Sequence, residues 1–549
     1  MSEVAAEQAM EILATELSAA LSYDGEMLHA GSDQIGVPAL RLKRQESDPL
    51  LDLKYALPSK AHGDDREKLL YMIIQQASPD GAPAMLDAVF RESVQDYLDI
   101  PDSLARTVVA DAVRDAYWTK PAKNYYPIPF HSRIPLSFRL SRRVGDRPVA
   151  ARYKLFGGEI LPFLCWKDGK VNTEPIEQLF AVLASDEGFT LVDQIMVSSV
   201  RRAAEGRPDR ASVEAIVREL SASVVEELQI GPFCAPALER FQKDLQAVLK
   251  LSDRLPRRDL IDMITVLFSL HIATYYYRLA WVLGAGVDDA VRAAADPSST
   301  EEVEGLCDCN CPLESCSLAG TMRFRVGTGG DRPVSRQDGC AVAFREVDAQ
   351  RLQPLSATIA TANLIQTTWS QMGGPAGRPQ LRELAKLLRE DAGFRERFDI
   401  AVSGVACLVA CETGIATTPE DAARFGARRP GLFALREAVL ASRRSSLKYH
   451  ARDVVNQLVK REAVGGILIR TRGNVQFFEI DEEMLLVLVA VICENREIPY
   501  SEFLVGLRRY GLAPQDSAER LKLADALERL GMLRRYSDAG ESTYVRYIS

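Results

Sequence analysis

The sequence predicts a mainly α-helical, multidomain protein with small β-containing subdomains, and three observations predict it. The chain has 549 residues, more than one hydrophobic core organises, so several domains follow. Its composition, 47% hydrophobic and 26% charged, is that of a folded globular protein and excludes disorder throughout. Apolar residues recur at helical spacing over most of the length, interrupted by short stretches rich in proline, aromatic and β-branched residues.

Taken in order, residues 3 to 22 carry helical periodicity, and a polar stretch with glycine and proline through 63 predicts short strands and turns. "REKLLYMIIQQA", "AMLDAVFRESVQDYL" and "DSLARTVVADAVRDAYW" then predict a helical block, giving an N-terminal, mostly helical domain over 1–119. "PIPFHSRIPLSFRL" and "VAARYKLFGGEILPFLCW" predict strands, hence a β-rich basic subdomain over 120–172. A helical domain over 173–300, a Cys-rich insert with a hairpin over 301–348 and a second helical domain over 349–462 follow. In 463–549 the extended segment "GGILIRTRGNVQFFEI" precedes predicted helices near 481–494, 500–510 and 515–530, after which "MLRRYS" and "STYVRYI" flank the turn "DAGE". Three helices and a β-hairpin are the elements of a winged helix-turn-helix, so a C-terminal winged-helix-like domain is expected there.

A net charge of -9 argues against uniform coating by nucleic acid or an anionic membrane. The N-terminus, interrupted by Glu3, Glu7, Glu11 and Glu16, lacks the basic start and apolar run of a secretory signal. The apolar stretch 260 to 287 is broken by Asp262, His271 and Arg278, short of the roughly 20 uninterrupted apolar residues of a membrane span. It therefore predicts a buried core helix, no membrane partner and a reducing cytoplasmic setting. Clustered thiols in such a setting more often bind metal than form disulfides.

Four of the ten cysteines lie in "CDCNCPLESC". Structural zinc takes four thiolate or imidazole ligands, and Cys307, Cys309, Cys311 and Cys316 supply four, with Cys340 a possible substitute. An iron-sulfur cluster takes the same donors, and a metal-free redox thiol run is the third reading. Cys407 and Cys411, one turn apart in "GVACLVACETG", are expected to be packing residues.

Positive charge is gathered locally. Between 114 and 154 ten Lys or Arg residues face only Asp115 and Asp146, among Tyr125, Tyr126, Phe130 and Phe138. Basic residues among aromatics suit phosphate attraction with base stacking, which makes Arg133, Arg139, Arg142, Arg143, Arg147, Arg152 and Lys154 candidate nucleic-acid contacts. A second basic stretch, 424 to 461, adds Arg428, Arg429, Arg443, Arg444 and Lys448. A solvated helix face, or ion pairing with the acidic remainder, would account for the same residues. The expected third helix of the tail has Asp516, Glu519, Asp525 and Glu528 against Arg520, Lys522 and Arg529, which favours docking a protein over reading a DNA groove.

No catalytic residues emerge. "RVGTGGDRP" lacks the lysine of a phosphate-binding loop. Glu159, Lys167, Asp168 and Lys170 echo the carboxylate-lysine patterns of metal-dependent nucleases, a constellation commoner on surface strand pairs without catalysis. His271 is expected to be a hydrogen-bonded core residue.

The strings "LADALERLGMLRRYSDAGESTYVRYI" and "GGILIRTRGNVQFFEIDEEMLLVLVAVI" resemble the C-terminal region of accessory subunits in bacterial phage-defence operons. These are the subunits of DNA phosphorothioation-dependent restriction (DptG-like) and of methylation-associated defence systems. The resemblance covers about the last hundred residues. It implies a non-catalytic subunit that works beside a separate ATPase or nuclease and helps act on unmodified foreign DNA. The resulting expectation is a DNA-binding, scaffolding subunit of a multiprotein antiviral restriction complex with a structural metal site, against two alternatives: a metal-dependent nuclease and a transcriptional regulator.

Overall fold

The computed structural model describes residues 21–23, 27–30, 35–38, 107–108, 111–112, 118–119, 126–127, 143–144, 147–148, 160–185, 187, 189–191, 193–195, 197–198, 232–299, 303, 313–316, 318–319, 322–326, 354–376, 379–412, 415–416, 421, 426, 430–442, 467–472, 475–480, 482–514, 516–536 and 543–547. Among them helix dominates, with small sheets at the edges, as the apolar periodicity predicts.

The first strands are β1 (Leu21–Tyr23), β2 (Met27–Ala30) and β3 (Ile35–Pro38), an antiparallel meander in the polar stretch where short strands were expected. The β-rich segment yields three two-residue ladders: β4 (Trp118–Thr119) with β5 (Tyr126–Pro127), β6 (Arg143–Val144) with β7 (Arg147–Pro148), and β8 (Trp166–Lys167) with β9 (Lys170–Val171). A short helix, α1 (Ile160–Leu164), precedes the last of these.

Helix α2 (Glu174–Ala184) has Pro175 near its start and Glu174 and Glu177 in its first turn, where the exposed N–H groups and the helix dipole favour negative charge. Ile176, Leu179, Phe180 and Leu183 recur at helical spacing and are fully buried. Its C-terminal carbonyls are satisfied from a distance. The Arg257 guanidinium donates to Val182 O at 2.6 Å and Ser185 O at 2.8 Å and lies over the Phe189 ring.

Helix α3 (Ala235–Leu249) packs on α4 (Arg257–Ala295), a 39-residue helix that is the spine of the molecule. At 1.5 Å per residue α4 runs about 58 Å. Buried on most sides, its apolar window is 94% covered by protein, which makes it the core helix expected from Asp262, His271 and Arg278. Its hydroxyl residues avoid unmet hydrogen bonds by turning back on the helix: Thr265, Ser269 and Thr274 each donate to the carbonyl four residues earlier, at 2.8 Å.

Helices α5 (Leu355–Gln371), α6 (Leu381–Glu390) and α8 (Gly431–Ser442) pack on α4, and α7 (Ala392–Glu412) packs on these three helices. Asp391 caps α7 by accepting the Phe394 N–H at 2.8 Å. Two ion pairs tie the spine outward, Asp289 to Arg389 at 2.5 Å and Asp288 to Arg436 at 2.7 Å.

The tail begins with the hairpin β11 (Ile467–Arg472) and β12 (Val475–Ile480), followed by α9 (Glu482–Cys493), β13 (Ile498–Pro499), α10 (Tyr500–Arg508), β14 (Leu512–Ala513), α11 (Ser517–Arg529), β15 (Leu533–Arg535) and β16 (Thr543–Val545). The three helices and the strand pair thus occur where the periodicity placed them. Strand β10 (Met322–Val326), just after the cysteine run, lies between β12 and β14 and is parallel to both, so the insert is stitched into the tail. The rest of the hairpin expected around β10 lies outside the described residues. Gly506 lets α10 approach α9: a Cβ there would meet Ile492 Cγ2 at 2.5 Å. One continuous cluster of buried apolar side chains runs from Leu161 to Val545. Within it each fully buried phenylalanine, such as Phe180, Phe241 or Phe268, contributes roughly 1.5–3 kcal/mol.

Candidate functional site

Most of the candidate contact and ligand residues fall outside the described residues: Cys307, Cys309 and Cys311 of the thiol run, and Arg133, Arg139, Arg142, Arg152, Lys154, Arg428, Arg429, Arg443, Arg444 and Lys448 of the basic stretches. Arg143 and Arg147 are placed by backbone on the β6–β7 hairpin, where Val144 faces Arg147 and Arg143 faces Pro148. Of the nuclease-like set, Lys167, Asp168 and Lys170 sit exposed on the β8–β9 hairpin. Asp168 and Gly169 form its two-residue loop with φ of 48° and 79°, the left-handed pair that an Asp-Gly turn adopts readily, and this accounts for the carboxylate without chemistry. Glu159 lies outside the described residues.

Cys316 ends a short helical turn, Leu313–Ser315, and is buried. Arg278, in the middle of α4 and 3% exposed, donates to Cys316 Sγ at 3.6 Å and to the Arg509 carbonyl at 2.5 Å. This buried guanidinium presents its charge to the end of the thiol run and to the C-terminus of α10. Burial pushes the Cys165 thiol well up and the Cys493 thiol up to about 12, and Cys407 is buried packing, as expected.

Behind this contact lies a closed polar knot. Asp244 of α3 is fully buried. Its Oδ2 meets His271 Nε2 of α4 at 3.0 Å and accepts the Tyr510 hydroxyl at 2.7 Å, and its Oδ1 lies 2.5 Å from Arg240 Nη2. Arg240 also donates to the Tyr510 oxygen at 3.3 Å and to the Val491 carbonyl of α9 at 2.9 Å. Three ring contacts, Phe241 edge-on with His271, His271 edge-on with Tyr510 and Phe241 tilted against Phe268, surround the knot with apolar surface. Burial works against the Arg240 cation, but its contacts with Tyr510 and with the Asp244 carboxylate outweigh this and raise its pKa. Burial, and then the Asp244 carboxylate, push the Tyr510 phenol far up, so it stays a donor. The knot joins α3, α4 and the tail with each charge answered, and His271 is the hydrogen-bonded core residue expected from its setting.

Both α3 and α4 fall within one matched segment. Residues 213–315 match the family model described as methylation-associated defense system protein MAD7. The match to the MAD7 family covers under a fifth of the chain, and it ends beside Cys316. It supports the defence-subunit resemblance from a different quarter, the helical core, whereas that resemblance rested on the tail. No curated protein matches the chain.

The four acids of the tail's third helix have different settings. Asp516 is the N-cap of α11 and accepts the Glu519 N–H at 2.8 Å, while Glu519 is buried, so two of the four expected acids perform local work. Ser517, Ala518, Arg520, Leu521, Asp525, Glu528 and Arg529 are the exposed residues of α11, with Leu521 58% exposed. Arg535 of β15 bonds Glu528 at 3.0 Å and approaches Asp525 at 3.8 Å, which sets a cation against both of these acids. Sequence reasoning missed Arg240, Asp244 and Tyr510. Only the i, i+4 spacing of Arg240 and Asp244 hinted at a pair, and that spacing is common on solvated helices.

Proposed function

We propose that the chain is a non-catalytic, DNA-binding and scaffolding subunit of a multiprotein bacterial antiviral complex of the restriction type, working in the cytoplasm. The observation that carries this reading is the match of residues 213–315 to a methylation-associated defence protein, falling on the two helices that organise the core. The basic stretches supply the DNA contacts, and a companion ATPase or nuclease supplies the chemistry. The tail is a winged-helix-like module. Its three helices and the antiparallel order β13–β16–β15 favour that assignment. Its third helix docks a protein partner: exposed Leu521, together with Val505 at 49% exposure on α10, offers apolar area, and the exposed Arg520 and Arg529 are matched in number by the exposed Asp525 and Glu528. The test is direct. The purified chain is expected to bind duplex DNA with affinity falling steeply as salt rises, and to leave it intact with Mg²⁺ or Mn²⁺ present. Cleavage that disappears in Glu159→Ala would replace this reading with the nuclease.

The thiol run holds a structural zinc through Cys307, Cys309, Cys311 and Cys316 in this proposal. Four thiolates around Zn²⁺ leave a net negative charge, and the buried Arg278 beside Cys316 is a cation that would offset part of it. Elemental analysis is expected to find about one zinc per chain, lost in a Cys309→Ser, Cys311→Ser double variant. Visible absorption with iron in place of zinc would assign an iron-sulfur cluster instead.

A further inference from the structure

The sheet of β13, β16 and β15 has two unlike faces. Ile498, Val545 and Leu533 point into the core. Side chains alternate along a strand, so their neighbours point outward: Arg534 lies opposite Tyr544, and Tyr544 opposite Pro499. Arg546 follows, its N–H extending the ladder to Met532 O at 2.9 Å.

On this outer face Tyr536 is 50% exposed, and its position is fixed at both ends. Its ring meets Tyr544 edge to face, with centroids 5.5 Å apart and planes at 79°. Its hydroxyl reaches Glu497, 3.2 Å from Oε1 and 3.4 Å from Oε2. Arg534 and Arg546 make no ion pair among the described residues, in contrast to Arg535, which the acids of α11 engage. The face therefore combines two available cations, one carboxylate already occupied by a tyrosine hydroxyl, and a held aromatic ring.

We propose that this outer sheet face is a stacking platform for single-stranded nucleic acid, with bases on Tyr536 and Tyr544 and phosphates on Arg534 and Arg546. The inference rests on the DNA-binding reading above for its ligand class and adds a second site and a strand preference to it. An exposed ring on the outer face of a sheet offers a π-face, which unpaired bases take and which the internally stacked bases of a duplex do not. A ring held in place beforehand loses little freedom on binding.

Fluorescence anisotropy of the full chain with a labelled oligothymidine and with a duplex of equal length tests this. Tyr536→Ala is expected to weaken oligothymidine binding about tenfold, while Tyr536→Phe, which keeps the ring, stays within about threefold of the parent. Arg534→Glu is expected to weaken strand binding and lower its salt slope by about one. Duplex binding is expected to be unchanged in all three. Parent-like strand binding by Tyr536→Ala would overturn the platform, and so would equal losses on strand and duplex. A parent chain that binds duplex but not oligothymidine sinks the platform and leaves the DNA-binding reading standing; a parent that binds neither sinks both. Circular dichroism melting of Tyr536→Ala, whose side chain is half exposed, is expected to match the parent.

Discussion

Replacing Asp244 with alanine is expected to destabilise the folded chain by about 3–5 kcal/mol, the largest stability loss of any single substitution considered for this protein. The carboxylate is fully buried and answers Arg240, His271 and Tyr510 together. Without it, a largely buried guanidinium loses its anion, and an imidazole and a phenol lose their acceptor. Asp244→Asn keeps the volume but loses the anion and turns one of the two acceptor oxygens into a donor NH2, so it is expected to fall between the parent and alanine. Arg436→Ala is the contrast. Its partner Asp288 is 27% exposed and Arg436 itself 40%, so the loss is expected to be about 0–1 kcal/mol. Denaturant unfolding measures each. A double-mutant cycle of Asp244→Ala with Tyr510→Phe is expected to show coupling above about 0.5 kcal/mol. Parent-like stability of Asp244→Ala would mean that apolar packing alone fastens the tail to α3 and α4.

Reversing Arg142, Arg143 and Arg147 to Glu is expected to abolish most duplex affinity at moderate salt and to lower the slope of log affinity against log salt by about 3. Each arginine that neutralises a phosphate releases counterions on binding, and the slope counts them. The backbone places Arg143 and Arg147 on the β6–β7 hairpin, four residues apart across a tight turn, which concentrates their charge. Anisotropy titrations at several salt concentrations read the result. Unchanged affinity and slope would assign this stretch to solvation or to ion pairing with the acidic surface, and the proposed DNA contact would move to the stretch around Arg443 and Arg444.

Local signals were legible in the sequence, and long-range ones were not. Helix α4 was recognisable because its apolar run is interrupted by Asp262, His271 and Arg278, residues a lipid bilayer tolerates poorly and a protein interior tolerates when they are bonded. The tail helices at Glu482–Cys493, Tyr500–Arg508 and Ser517–Arg529 were placed by their own periodicity and turns. The acids of the third helix were read as surface charge. The fold shows Asp516 capping and Glu519 buried, a distinction that depends on which residue starts the helix. The parallel pairing of Met322–Val326 with two tail strands left no local trace, since a hairpin is the only pairing adjacent sequence announces.

By itself, then, the sequence determined that this is a mainly helical chain with a polar-studded core helix, a separate thiol run, locally concentrated arginines and a three-helix tail with a strand pair, because periodicity, turn chemistry and charge are properties of neighbouring residues. Only the tertiary structure decided that Asp244 collects partners 4, 27 and 266 residues away, and that Arg278 faces Cys316. Buried charges must find their counterparts in space, and the chain's path through three dimensions, not its order, brings those counterparts within reach.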